Sequence, residues 1–160
     1  MKKWALPSVV IVVLAAVALV LRSRDRLPAT PEAAVGALFD AAEAGDDAAY
    51  LRLLDGKLRK ALVQSRTQLG TEAFRESLRR SMSGVKGLAV ERRDDAPVGL
   101  AAVDVELVFA DRNERQRILL VPKGSGWAIT SIEAAVTVQP SIPYGTPVYE
   151  EPEAAESQSP

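Results

Sequence analysis

Apolar positions along the chain pass through three regimes. From Trp4 to Leu21 there is no period, because 18 residues run without a charge. As a helix this stretch is about 27 Å long, enough for a hydrocarbon core. Pro7 sits near its start, where a helix tolerates it, and Trp4 is placed for the interface. From Thr30 the spacing turns helical. Thr30 is an N-cap, Pro31 takes the first position, and Glu32 lies in the first turn. Val35, Leu38, Phe39 and Ala42 then form one stripe, which Gly45 ends. Asp46-Asp47 opens a second helix with Leu51, Leu54, Leu58 and Leu62 on one face and a break or kink at Asp55-Gly56. Gly70-Thr71-Glu72 opens a third, with Phe74, Leu78 and Met82 at four-residue spacing.

After Gly84 the period becomes two. Leu88, Val90 and Arg92 alternate with Ala89, Glu91 and Arg93 in a first strand, and a turn follows from Asp94 to Gly99. Val103, Val105, Leu107 and Phe109 share one face of the next strand, with Asp104 and Glu106 on the other. A turn over Asp111 to Glu114 leads to a strand with Ile118 and Leu120 on one face. Pairing Ala110 with Arg115 sets Leu107 against Ile118 and Val105 against Leu120, so the apolar faces coincide. Lys123-Gly124-Ser125-Gly126 is a second turn, and Trp127 to Val138 reads as one long last strand. Three helices followed by a four-stranded antiparallel meander predict an α+β fold, with the helices covering one face of a curved sheet.

These segments divide the chain into residues 1–26, residues 27–138 and residues 139–160. The middle segment is about 110 residues, the size of one small domain. The last holds five prolines and four glutamates and no apolar period, which predicts a disordered acidic spacer. The first is expected to be a single-pass signal anchor. Cleavage after Ala16-Val17-Ala18 is the alternative, giving a secreted or periplasmic form. Lys2-Lys3 ahead of the apolar run resembles a Sec-type start, so the domain is expected outside the cytoplasm, although Arg22, Arg24 and Arg26 lie on the other flank.

Composition removes several chemistries. Cysteine and histidine are both absent. Thiolate nucleophiles, disulfides, Cys/His zinc sites and histidine bases are therefore excluded. The net charge of −1 hides +4 in residues 1–26 and −4 in the tail. A near-neutral domain gives no footprint for nucleic acid. No motif implies a cofactor or a metal.

A family likeness rests on two stretches. Pro31-Glu32-Ala33-Ala34-Val35, Ala37-Leu38-Phe39, Gly45-Asp46 and Asp47-Ala48-Ala49-Tyr50-Leu51 begin the domain, and Gly126-Trp127-Ala128-Ile129-Thr130-Ser131-Ile132 closes it. Residues 30–135 on this pattern resemble nuclear transport factor two-like domains. The resemblance implies a cone of helices over a bent antiparallel sheet, with a pocket at the open end. Such domains include isomerases, dehydratases, cargo adaptors and exported domains, so fold alone does not give function.

The expected inward face, Val103, Val105, Leu107, Phe109, Ile118 and Leu120, carries no titratable group. Asp40 and Tyr50 are the helix residues that can reach such a pocket, and Phe109 and Trp127 can stack on a ligand. Charge also separates along the helices. Residues 32–55 carry −5, and residues 56–86 carry +6. Either neighbouring helices neutralise one another, or Arg75, Arg79 and Arg80 form a basic face for a membrane or an acidic partner. Glu106, Val108, Arg117 and Leu119 would form a sheet face for a homodimer. The reading is a non-catalytic, membrane-tethered binding or assembly domain. The alternatives are a carrier of small hydrophobic molecules or an isomerase- or dehydratase-like enzyme using the cone, and an envelope protein whose tail contacts a partner.

Overall fold

The computed structural model describes residues 26–138. Four helices come first: α1 (Pro31–Ala44), α2 (Asp47–Arg52), α3 (Gly56–Leu69) and α4 (Thr71–Ser81). Five strands follow: β1 (Gly87–Arg93), β2 (Ala101–Val108), β3 (Asn113–Lys123), β4 (Gly126–Ile132) and β5 (Val136–Val138). The fold is α+β, with a curved antiparallel sheet in the order β1-β2-β3-β4 and β5 also on β3. Among the described residues no helix is long and apolar enough to cross a membrane. The run Trp4–Leu21 and the tail from Gln139 lie outside the described residues.

Local chemistry sets the boundaries of α1. Thr30 Oγ1 accepts a hydrogen bond from the Ala33 N–H at 3.2 Å, and Pro31 begins the helix. Gly45 ends it at φ +67, a left-handed turn that glycine adopts without strain, and the Arg79 side chain lies where a Cβ would stand. The stripe Ala34, Val35, Leu38, Phe39 and Ala42 is buried against the sheet.

The expected break at Asp55-Gly56 is complete, which makes four helices of three. Leu53 to Asp55 leave the helix and run beside β4. The Ile129 N–H donates to the Leu53 carbonyl at 2.8 Å, and the Asp55 N–H donates to the Ile129 carbonyl at 2.7 Å. This bridge seats Leu54 in the core at zero exposure. Gly56, at φ +59, turns the chain into α3.

Two strand expectations are corrected. Leu107 faces Glu114 and Val105 faces Gln116, a four-residue shift from the expected register. The turn closes earlier than expected, with the Phe109 N–H bonded to the Arg112 carbonyl at 2.8 Å. An even shift leaves every side chain on its own face, so Val103, Val105, Ile118 and Leu120 still meet in the core. The last strand is two strands. β4 stops at Ile132 and β5 resumes on the first residues of β3, while a register shift at Leu119/Leu120 bends the ladder.

The opposite sheet face is polar, and its charges pair across the strands. Arg117 Nε meets Asp104 Oδ1 at 2.8 Å, and Arg115 Nη2 meets Glu106 Oε2 at 2.8 Å. Glu106, Val108, Arg117 and Leu119 share this face by register.

Candidate functional site

A cavity of about 270 Å³ lies between the helices and the β2–β3 end of the sheet. Helix α1 contributes Leu38, Phe39 and Ala42, and α2 contributes Tyr50. The end of α4 adds Ser81 and Met82, while Leu107, Gln116 and Ile132 close the sheet side. Most of this lining is apolar. Strand alternation puts Gln116 on the same face as Ile118 and Leu120, directly across from Val105. A carboxamide therefore stands where an aliphatic side chain would complete the core.

Three polar side chains reach the cavity, and one is already engaged. Ser81 Oγ donates to the Leu78 carbonyl at 2.7 Å. The Tyr50 phenol and the Gln116 carboxamide have no hydrogen-bond partner among the described residues. Burial pushes the Tyr50 phenol above its usual range, so it is neutral at pH 7 and both donates and accepts. No carboxylate is among the lining residues.

The structure separates the four pocket candidates. Tyr50 lines the cavity. Asp40 is exposed on α1, beside a neighbouring depression with Glu43 and Lys86 that shares Phe39 and Met82 with the cavity. Phe109 is buried below the β2–β3 turn with the Arg112 guanidinium 4.2 Å from its ring centre. Trp127 is half-buried at the other end of the sheet, where its backbone N–H donates to the Pro28 carbonyl at 3.0 Å. Gln116 was missing from the sequence candidates. Its signal is a polar residue on the apolar face of β3, shared with Ile118 and Leu120 by alternation in either register, while the observed register sets it across from Val105.

The arginines of α4 point at acids. Asp47 is 1% exposed and lies between two guanidiniums. Arg75 Nε is 2.7 Å from Oδ1, and Arg66 Nε is 2.8 Å from Oδ2. The Arg75 hydrogen bond holds the Asp47 carboxyl below the usual carboxylate range, although burial opposes it. Arg75 also meets Glu72 at 3.0 Å, and Arg79 meets Glu76 at 3.0 Å. Arg80 is the most exposed of the three, 4.0 Å from Glu76. Lys57 and Lys60 on α3, by contrast, form no ion pair among the described residues.

Among the described residues no group of three or more His, Cys, Asp or Glu side chains is arranged to hold a metal ion. Comparison of the chain with family models, with curated protein sequences and with solved structures returns no match.

Proposed function

We propose that the chain is a membrane-tethered, non-catalytic binding domain of nuclear transport factor two-like form, whose cone holds a small, mostly apolar molecule. The carrying observation is the cavity of about 270 Å³, apolar apart from the engaged Ser81 hydroxyl and an unengaged phenol and carboxamide. It lies just below the usual range of ligand pockets, roughly 300 to 1,000 Å³, which limits the occupant to a small molecule. Tyr50 and Gln116 suit a ligand with one hydroxyl or carbonyl, because each offers both a donor and an acceptor. A lining without a carboxylate or histidine supplies no general base near neutral pH, which favours holding a molecule over converting it. The tether is the uncharged run Trp4–Leu21, with the domain outside the cytoplasm. Assembly through the sheet face has less support, since Asp104, Glu106, Arg115 and Arg117 already pair among themselves.

The test is a titration of the full chain in nanodiscs with 2-naphthol, a fluorescent aromatic alcohol. Saturable binding is expected, weakened roughly fivefold to tenfold by Tyr50→Phe, the loss of one hydrogen bond. Signal that only tracks lipid content, unchanged by Tyr50→Phe and Gln116→Leu, would refute the reading.

A further inference from the structure

The basic residues at the start of α3 sit where a cation gains least inside the domain, unlike Arg66 further along, which meets Asp47. Lys57, Arg59 and Lys60 occupy its first turn and a half, and no acid stands in the first turn. Cations there oppose the positive end of the helix dipole. Asp55, just before the helix, is engaged by Lys123 Nζ at 2.7 Å. Lys57 and Lys60 have no ion-pair partner among the described residues. The helix buries no residue fully, and only Leu58 and Leu62 pack against the core. Lys60 and Val63 fall on the opposite, exposed face.

The position of this face follows from where the chain joins the domain. Leu27 and Pro28 are seated on the β3–β4 turn, and a Cβ on Gly126 would stand 2.6 Å from the Leu27 carbonyl oxygen. The same turn carries Lys123, whose ammonium ties it to Asp55 at the start of α3. The apolar run ends at Leu21, so five residues separate it from Leu27, at most about 17–18 Å of chain. Val98, fully exposed at the tip of the β1–β2 loop, stands at this end of the sheet as well. The cavity lies at the other end, because Gln116 is seven residues, roughly 23 Å, up β3 from Lys123.

We infer that the exposed basic face of α3 rests on an anionic bilayer surface and holds the cone mouth away from the membrane. The inference rests on the tethering reading but not on the cone ligand. Each Lys or Arg near an anionic surface adds attraction that falls off within a Debye length, about 8–10 Å at physiological salt, and the short connection lets α3 come within that range without holding it there. The face so assigned is Lys57, Arg59 and Lys60, in place of the expected Arg75, Arg79 and Arg80, of which Arg75 and Arg79 are held by acids.

The chain has no cysteine, so single cysteines take a label cleanly. Val63→Cys on α3 and Asp111→Cys at the far turn are made in the full chain and labelled with an environment-sensitive fluorophore. Each is placed in nanodiscs of phosphatidylcholine alone or mixed with phosphatidylglycerol, with a headgroup-quencher lipid in both. The expected result is roughly threefold or greater quenching at position 63 in the anionic discs over the neutral ones, with none at position 111. Raising salt to about 0.5 M removes the difference. So does Lys57→Gln/Arg59→Gln/Lys60→Gln, which keeps good helix formers. Equal quenching in both lipids, or quenching that survives the triple substitution, would overturn the inference. So would protection of position 63 in neutral discs that disappears on deleting residues 139–160, which would assign the face to the acidic tail. A chain that fails to enter discs refutes the tether and this inference together. A chain that enters without charge-dependent quenching refutes this inference alone.

Discussion

Val105 and Gln116 stand opposite each other across the β2–β3 ladder, on the face that makes the core. Val105 is fully buried, whereas Gln116 is half-buried and borders the cavity. A polar group without a protein partner at the edge of the core costs some stability, and under the proposed function that cost is offset by the ligand. Gln116→Leu should therefore stabilise the domain by about 0.5–1 kcal/mol while weakening ligand binding. Thermal unfolding and probe titration on the same variant check the two effects. A loss of stability would show that the carboxamide serves the fold instead.

Asp47 ties α2 to α3 and α4 through Arg66 and Arg75. Asp47→Ala should cost about 1–3 kcal/mol, since both arginines are partly exposed and return to water. Removing both arginines leaves a buried carboxylate alone, so Arg66→Met/Arg75→Met should be the worse variant. Denaturant unfolding of the two gives the order.

The carboxyls of Asp47, Asp55, Asp104 and Glu106 are all held below their usual range, each chiefly by a hydrogen bond from Arg75, Lys123, Arg117 and Arg115 in turn. A depressed carboxyl adds stability that is present above its unfolded pKa and lost as pH falls through the folded one. Stability should therefore be level from about pH 5 to 7 and fall below roughly pH 4. A midpoint that drops between pH 7 and 5 would contradict this.

Gly126 is close against backbone. A Cβ there would lie 2.6 Å from the Leu27 carbonyl oxygen and 2.7 Å from that of Pro28. Gly126→Ala should cost about 1–3 kcal/mol and loosen residues 27–28 from the sheet. Trypsin cleavage after Arg26, faster in the variant than in the parent chain, is the check.

Much of this fold was legible in the sequence because its signals are local. Thr30, Pro31 and Gly45 mark α1, and Val103, Val105 and Leu107 alternate on β2. Alternation does not change under an even shift, which is why the faces were right and the β2–β3 register was four residues off. Glu133-Ala134-Ala135 contains no proline or glycine, so nothing local announced the end of β4. The partner of Arg75 is 28 residues away, and no pattern along the chain names it. Tyr50 lines the cavity, whereas Asp40, one helical step of 100° from Phe39, borders a neighbouring depression instead. Gln116 shares the apolar face in either register, but only the observed pairing sets it beside the cavity, across from Val105.

The central claim is that the cone is a ligand pocket. Ala42 is buried and lines it, so Ala42→Leu fills space the ligand would need. The most direct measurement is native mass spectrometry of the full chain, released from nanodiscs of its own host membrane, beside the Ala42→Leu chain. The account predicts a bound small molecule of discrete mass on the parent chain that is reduced at least about tenfold on Ala42→Leu, with thermal stability retained. A bare parent chain, or an adduct carried equally by both, would contradict it.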